Sequence, residues 1–362
     1  MSDDTNYGTE IKRLTQKIKV DPHNAAAYSQ RGLLYKTKSE VHDKRVNEYY
    51  DKNDYERAFK EFSRFHTAYK QGIEDLSTAI SLEPSNAAFY KNRGEIYNMF
   101  NFGESQEAIN DYSKAISLDP NDADAYVKRG ETYANMKDYV AARMNYDQAI
   151  RIEPNNSKTW YKRGCIQEDD LKIADLSRAI ELDPAYIDAY NERADEYFYK
   201  GNYFQDGEFF EESDDAQANS YYDLAIEDYS QIIRIDPANA VAYGHRGGLN
   251  NRKGKYDDAI ADLTEALNID PVKNNYAWGL RADAYYRKCE YDKAIADYTE
   301  MIKCYPEWYF NYKYRGDVYA AKGDYEKAIV DYTMALSIKP DSVAVKKCLE
   351  KVRRQYENDT AD

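Results

Sequence analysis

The sequence predicts an all-α fold: a right-handed superhelical solenoid of about eight stacked helix pairs with a capping helix at each end. Two observations predict it. The chain of 362 residues contains nine prolines, and five of the eight spacings between them are 34 to 36 residues. Between the prolines, aromatic, Ala and Ile residues recur three, four and seven positions apart, which is the period of an amphipathic helix. A fixed period with two helical segments indicates a repeat architecture.

The prolines mark the boundaries of the predicted repeats. Repeats are expected over residues 22–83, 84–119, 120–153, 154–183, 184–236, 237–270, 271–305 and 306–339. Residues 10–21 match the second half of a repeat and predict an N-terminal capping helix. Residues 340–358 predict a polar C-terminal helix that shields the last apolar face. No Ser-rich or Gly-rich linker interrupts the series, so residues 1–362 are expected to form a single domain.

Three repeats depart from the period. The first contains a helical insertion over residues 37–66, whose aromatic spacing predicts a lengthened hairpin that turns near residues 51–54. The fifth contains an acidic insertion over residues 200–220, in which the segment 207–215 has no helical period and predicts a loop. The fourth is four residues short, close to one helical turn, and has Gln167 in place of the usual tyrosine.

Every repeat also contains an arginine three residues after an aromatic residue, and an acid or its amide nine residues before the next proline. In an antiparallel hairpin these positions lie about equally far from the turn, so we expect the carboxylate to accept the donors of the guanidinium. The expected pairs are Arg31–Asp75, Arg93–Asp111, Arg163–Asp175, Arg193–Asp228, Arg246–Asp262, Arg281–Asp297 and Arg315–Asp331. Arg129 meets Asn145 and is expected to form the weakest pair. The alternative is a row of exposed arginines.

Composition and spacing argue against several classes of function. Fifty basic and 65 acidic residues give a net charge of −15, which disfavours binding to nucleic acid or to an anionic membrane. No apolar stretch approaches the length of about 18 residues that a membrane span needs. The four cysteines and four histidines are scattered without metal-ligand spacing, and each histidine is expected at the surface. We therefore expect no metal, no cofactor and no catalytic residues, and free thiols that suit the cytoplasm.

The repeat resembles a known family. One repeat supplies Tyr126, Arg129-Gly130, Tyr133, Ala142, Tyr146, Ala149 and Pro154. This pattern is similar to the tetratricopeptide repeat, in which an aromatic residue, Leu-Gly and Tyr mark the first helix, and Ala, an aromatic residue, Ala and Pro mark the second. The resemblance covers about residues 11–358, with arginine where the family usually has leucine. It implies a non-catalytic scaffold or adaptor whose concave groove binds a peptide or helix of another protein.

The resemblance also implies which positions line that groove: residues four, seven, eight and eleven after each proline. In the second to fourth repeats they are Lys91, Asn92, Glu95, Lys128, Glu131, Lys158 and Lys162. The four lysines predict a basic patch that would attract an acidic segment. Alternatively, the lysines only balance Glu95 and Glu131 along a solvated face.

From the fifth repeat onward the same rule selects an acidic face with aromatic rings. Its candidate residues are Asp188, Glu192, Asp195, Tyr276, Asp283, Tyr314 and Asp317, together with neighbours that include His245, Gly244 and Lys313. A ring and a carboxylate together can hold a Lys or Arg side chain, so this face suits basic and aromatic peptides. Packing between repeats could equally occupy the tyrosines.

Three other functions stay open at this point. Some family members hold the acidic C-terminal tails of heat-shock chaperones through a clamp of Lys and Asn residues. Lys91, Lys158 and Lys162 occupy matching positions, but Glu95 and Lys128 replace both asparagines. Self-association is another possibility, in which the 37–66 projection docks into the groove of a neighbouring copy. An enzyme would require a deep pocket with perturbed acids.

Overall fold

The computed structural model of the chain describes residues 2–99, 105–206 and 214–361. Within those ranges it contains eighteen α-helices and no strand, so the predicted all-α fold is confirmed. The helices form two compact units, Met1–Leu182 and Asp183–Asp362, which are called unit 1 and unit 2 below. The single domain over residues 1–362 stays a prediction.

Unit 1 consists of one helix followed by four helical hairpins. Helix α1 (Ser2–Val20) packs on the first hairpin. The hairpins are α2 (Ala25–Asp51) with α3 (Tyr55–Leu82), α4 (Ala87–Met99) with α5 (Ser105–Leu118), α6 (Ala123–Asn135) with α7 (Tyr139–Ile152), and α8 (Ser157–Cys165) with α9 (Asp169–Leu182). The second helix of each hairpin packs on the first helix of the next, so the hairpins stack in chain order.

Unit 2 has the same design with its single helix at the other end. Its hairpins are α10 (Ile187–Asp206) with α11 (Asp215–Ile235), α12 (Ala240–Arg252) with α13 (Tyr256–Ile269), α14 (Tyr276–Arg287) with α15 (Tyr291–Cys304), and α16 (Tyr309–Lys322) with α17 (Tyr325–Ile338). Helix α18 (Val343–Ala361) packs on α17 and covers the last hairpin with Val345, Leu349 and Val352.

The prolines lie between hairpins for a local reason. A proline has a fixed φ and no N–H, so it suits the turn that follows a helix. Two residues after several of them, an Asn or Asp side chain accepts a hydrogen bond from a backbone N–H of the next helix: Asn24 from Ala27, and Asp122 from Ala125. These caps satisfy donors that a helix N-terminus leaves free. The same three-residue pattern therefore ends one hairpin and begins the next.

The glycine that follows the arginine allows the two helices of a hairpin to approach closely. At Gly130 in α6, an added Cβ would lie 2.9 Å from Cε1 of Tyr146 on α7. Tyr146 is buried between the two helices. The recurring Arg-Gly pair thus presents to the partner helix a polar side chain and, at the next residue, a space for an aromatic ring.

The two insertions lengthen helices. The 37–66 insertion lies entirely within α2 and α3, apart from their turn at residues 52–54. The 200–220 insertion extends the C-terminal end of α10 and the N-terminal end of α11. Of the segment 207–215, for which a loop was expected, residues 207–213 lie outside the described residues. Asp214, at the end of this segment, is the N-cap of α11, where its carboxylate accepts a hydrogen bond from the N–H of Gln217. Asp215 is the first residue of that helix.

One expectation about the histidines is wrong. His42 is buried in the first hairpin, with only 3% of its surface exposed, and its Nδ1 lies 2.6 Å from Oε2 of Glu61. The expectation failed because the insertion packs α2 against α3 along its length, and that contact encloses both side chains.

The arginines of the repeats face the acids that the sequence pairs with them. In seven hairpins, Nε and Nη2 of the arginine donate to the two carboxylate oxygens at 2.6–2.9 Å. Arg129 instead makes one such bond, from Nε to Oδ1 of Asn145 at 2.8 Å. The aspartates are buried, and the guanidinium groups lie near aromatic rings; that of Arg163 is 4.7 Å from the centroid of the Trp160 ring.

The arginines also make a contact that the sequence analysis missed. In at least six repeats, Nη1 of the arginine donates to a hydroxyl on the preceding second helix, or on α1, at 2.9–3.0 Å. The acceptors are Thr15, Ser77, Ser113, Ser230, Thr264 and Thr299. Most of these residues follow a paired acid by two positions, a signal that is visible in the sequence. Each of these arginines therefore links its own hairpin to the helix before it.

Candidate peptide-binding site

The candidate groove residues of unit 1 form a row of internal ion pairs. Nζ of Lys91 lies 2.8 Å from Oδ2 of Asp122, and Nζ of Lys162 lies 2.5 Å from Oε1 of Glu131. Lys36 contacts Glu95. Burial disfavours the Lys91 ammonium, but Asp122 and Asp124 outweigh it and raise the pKa of Lys91. Carboxylates on neighbouring first helices therefore compensate much of the positive charge that the sequence places here.

The remaining candidates of unit 1 add little to a basic patch. Lys128 lies 4.0 Å from Glu131, and Asn92 is half-buried on α4. Lys158 is exposed, and in the described part of the chain no carboxylate pairs with it. The expected reversal of sign is thus limited to the neighbourhood of Lys158, because the acids lie within reach of the other lysines.

Unit 2 brings four of its seven candidate residues to a continuous depression. Asp195, Tyr276, Asp283 and Tyr314 line two adjoining cavities, which share Tyr276 and Leu280 in their walls. We call the two cavities together the trough. Asp188 is exposed and Glu192 half-buried on α10, and neither lines the trough.

Asp317, the seventh candidate, is held by side chains of its own repeat. Its carboxylate accepts from Nζ of Lys313 at 2.7 Å and from the hydroxyl of Tyr332 at 2.7 Å. Burial disfavours the Lys313 ammonium, but Asp317 outweighs it and raises the pKa of Lys313. The Lys313 ammonium also lies 4.9 Å from the centroid of the Tyr314 ring.

The first cavity of the trough has a volume of about 310 Å³ and lies among α10, α11, α12 and α14. A series of contacts crosses its wall: the Tyr229 hydroxyl donates to Oδ1 of Asp195 at 2.9 Å, and His245 stacks on Tyr229 with centroids 5.3 Å apart. Tyr276 follows, 6.2 Å from the His245 ring. Tyr199 is 67% exposed at the same cavity.

Burial sets the protonation states in the first cavity. Partial loss of water contact among the neighbouring rings lowers the pKa of His245, although Asp195 partly opposes this shift. Burial, reinforced by Asp195, raises the pKa of Tyr229, and burial raises that of Tyr276. At neutral pH the wall is therefore made of neutral rings beside one carboxylate.

The second cavity, of about 530 Å³, lies among α14, α15 and α16. Its aromatic wall includes Tyr298, stacked on Tyr314 with centroids 6.0 Å apart, and Trp308, which is 49% exposed. Its carboxylate is Asp283, which accepts from Nδ2 of Asn251 at 3.1 Å and lies 3.6 Å from Nε of Arg287. This part of the trough therefore combines aromatic surface with the Asp283 carboxylate, whose charge is compensated by Arg287.

Several residues of the trough were not among the sequence candidates. Phe198, Tyr199, Leu280, Met301 and Trp308 all line it. Phe198 and Tyr199 follow Asp195 at the three- and four-residue spacing of a helix, so continuing the positional rule along the lengthened α10 would have found them. Met301 is on a second helix, which the rule did not consider.

The described residues contain no cluster of three or more His, Cys, Asp or Glu side chains that could hold a metal ion. None of the helices in the ranges 2–99, 105–206 and 214–361 combines the length and the apolar character that a membrane crossing requires.

Stacked two-helix repeats define the class of α-helical repeat proteins. In unit 2 of this chain an aromatic and acidic depression lies among the helices. Within that class the chain belongs to the tetratricopeptide repeat family. Five models of this repeat match residues 102–137, 123–156, 210–274, 276–308 and 312–342, which together are just over half of the chain.

Two curated relatives are similar over short stretches. Small glutamine-rich tetratricopeptide repeat-containing protein 2 of Saccharomyces cerevisiae is 39% identical over 56 residues, 16% of this chain and 16% of the relative. Serine/threonine-protein phosphatase 5 of Homo sapiens is 41% identical over 59 residues, 15% of this chain and 12% of the relative. The chain thus matches less than a fifth of the length of either relative.

A solved structure supports the fold over a longer stretch. The C-terminal part of a TPR repeat-containing protein from Cytophaga hutchinsonii covers 73% of this chain and 99% of its own length. Its TM-score is 0.55 and its sequence identity is 18%. At that identity the likeness shows a shared tetratricopeptide solenoid fold.

Proposed function

We propose that this protein is a non-catalytic adaptor of the cytoplasm that binds a segment of another protein in the trough of unit 2. The observation that carries the proposal is the trough itself, two adjoining cavities with exposed rings and carboxylates. The adaptor role also follows the family resemblance, which implies a scaffold that binds a peptide or helix in its groove.

The physical basis of binding would be preorganisation. Most of the rings and carboxylates of the trough lie on helices, and the arginine pairs fix those helices against each other. Side chains that are already ordered lose little entropy when a ligand arrives, so the ligand bears most of the ordering cost. Exposed Trp and Tyr side chains such as Trp308 and Tyr314 are the residue types that contribute most to protein interfaces.

The acidic-tail clamp in unit 1 has less support. An acidic tail would have to displace Asp122 from Lys91 and Glu131 from Lys162, and both carboxylates are tethered close to their lysines. Of the three lysines at clamp positions, Lys158 is the one for which the described residues supply no carboxylate partner. For this reason the proposal places the ligand in unit 2.

A substitution that fills the trough tests the proposal. Gly279 lines the second cavity, and an added Cβ would lie at an ordinary contact distance of 3.6 Å from Cε of Met301. Gly279→Ala is therefore the matched control, and Gly279→Leu extends a branched side chain into the cavity. A random dodecapeptide library displayed on phage is selected against the full chain, and the enriched peptides are measured by fluorescence anisotropy.

The expected result is that peptides enriched on the parent chain bind Gly279→Ala with unchanged affinity and bind Gly279→Leu at least tenfold more weakly, a loss of about 1.4 kcal/mol. Circular dichroism melting checks that both variants are folded. If no peptide is enriched, or if the enriched peptides bind Gly279→Leu as well as they bind the parent, the trough is not the binding site.

A further inference from the structure

We propose that the first cavity of the trough binds a cationic side chain, Lys or Arg, of the segment that occupies the trough. This inference rests on the proposed function and specifies its ligand. It is carried by the contrast between Asp195 and the other acids that hold the same place in their repeats.

Five repeats have an acid at this place on the first helix, eleven or twelve residues after the proline: Glu95, Glu131, Asp195, Asp283 and Asp317. Four of them have a basic side chain of this chain beside them. Glu95 contacts Lys36, Glu131 lies 2.5 Å from Lys162, Asp283 lies 3.6 Å from Arg287, and Asp317 lies 2.7 Å from Lys313. Among the residues that the structure describes, Asp195 is the one acid of the five without a Lys or Arg partner.

Asp317 shows what a filled site of this kind looks like. A tyrosine of the second helix, Tyr332, donates to Oδ1 of Asp317, and the Lys313 ammonium takes Oδ2 while it lies over the Tyr314 ring. At Asp195 the same tyrosine contact is present, because Tyr229 donates to Oδ1. Four residues before Asp195, where the Asp317 repeat has Lys313, the chain has the neutral Asn191. The two acids thus share the tyrosine contact, but among the described residues Asp195 has no counterpart of the Lys313 ammonium.

The walls around Asp195 suit a cation from outside. Rings of Tyr229, His245 and Tyr276 follow one another along the cavity, and a cation over such a face is attracted by the ring quadrupole. The Tyr276 hydroxyl is buried without a hydrogen-bond partner in the described part of the chain. The ring of Phe198, also in this wall, already has the Arg252 guanidinium 5.4 Å from its centroid.

The other classes of side chain fit less well. An acidic side chain would meet the uncompensated charge of Asp195. An apolar side chain would cover that carboxylate and remove it from water without a partner, which is costly. A cation compensates the carboxylate and keeps contact with the rings.

The experiment uses the full chain and the dodecapeptides enriched on it. Asp195→Asn removes the charge but keeps an oxygen that can accept from Tyr229, so the fold should be retained. Asp188→Asn is the matched control, because it removes the same charge from an exposed site on the same helix, outside the trough. We expect a shared Lys or Arg in the enriched peptides, an affinity loss of about tenfold for Asp195→Asn, and a loss of less than about twofold for Asp188→Asn.

Substitution of the peptide completes the test. Replacing its basic residue with citrulline should cost about tenfold on the parent chain and almost nothing on Asp195→Asn, since the two changes remove one interaction. Exchanging Arg and Lys at that position shows which of the two the cavity prefers.

The outcomes separate this inference from the proposed function. Peptides that are lost on Gly279→Leu, yet contain no shared basic residue or bind Asp195→Asn as tightly as the parent, would overturn the cationic subsite and leave the trough as the binding site. An absence of enriched peptides would overturn both.

Discussion

Replacing Asp262 with alanine is expected to lower the free energy of unfolding by about 3 kcal/mol. Asp262 is buried in α13, and its two carboxylate oxygens accept from Nε and Nη2 of Arg246 at 2.8 and 2.7 Å. The substitution removes both acceptors and strands the guanidinium between two helices.

The size of the loss depends on which contacts the Arg246 guanidinium keeps after the substitution. Breaking a buried ion pair by removing one partner costs about 3–5 kcal/mol, since the other charge stays buried without compensation. After the substitution, Arg246 keeps the Ser230 hydroxyl at 3.0 Å and the ring of Tyr243 at 5.6 Å. Its side chain is also 23% exposed, so water can reach it. These remaining contacts place the expected loss at the lower end of the range.

The measurement is urea unfolding followed by circular dichroism and by tryptophan fluorescence, to which Trp278 in the following repeat contributes. Repeat proteins can unfold in steps, so native-state hydrogen exchange in α12 and α13 supplies a local value. Glu265→Ala, at an exposed site on α13, is the control and should change the free energy of unfolding by less than about 0.5 kcal/mol.

The free energy of unfolding of Asp262→Asn should lie between those of Asp262→Ala and Glu265→Ala, because this substitution recreates the single bond that Arg129 makes to Asn145. Equal unfolding midpoints for Asp262→Ala and Glu265→Ala would refute the reasoning, because the buried pair would then contribute nothing to stability.

Three further predictions concern single positions. Cys289→Gly should raise the melting temperature, with a gain of about 0.5–1 kcal/mol, because Cys289 has a φ of 60° in a turn where two other repeats use glycine. Gly130→Ala should lower the urea midpoint by the equivalent of about 1–3 kcal/mol, since its Cβ would lie 2.9 Å from the Tyr146 ring. The partly enclosed position of His245 lowers its pKa, so its contribution to stability is fully present above a pH of about 6.5 and is lost as pH falls through the lower folded-state value. When the pH is lowered from above that value to below it, the urea midpoint should therefore fall less for His245→Gln than for the parent. An equal fall in both proteins would contradict the prediction.

Much of the fold could be predicted because its causes are local. The arginine and its acid, as in Arg315 and Asp331, are brought together by two helices of fixed pitch joined by a short turn. Their positions relative to the proline follow from counting residues. The long hairpin of the first repeat has the same origin, since the aromatic spacing continues through the insertion into α3.

The binding site was only partly predictable. The positional rule found Asp195, Tyr276, Asp283 and Tyr314, which all line the trough. It also selected Lys91 and Lys162, whose ammonium groups are engaged by carboxylates of neighbouring helices. A rule based on spacing gives the direction of a side chain but not what stands opposite it.

What the sequence by itself determined is the repeat, its two helices, the capped turns and the arginine with its acid, because helical period and chain connectivity act over a few tens of residues. Only the tertiary structure decided which charges are already compensated, that Nη1 of the arginine reaches the preceding helix, and that Asp195 has no basic partner among the described residues and lies beside stacked rings. These features depend on the lateral distance and rotation between helices of different repeats. Those quantities arise from the packing of whole side-chain surfaces and leave no period in the chain.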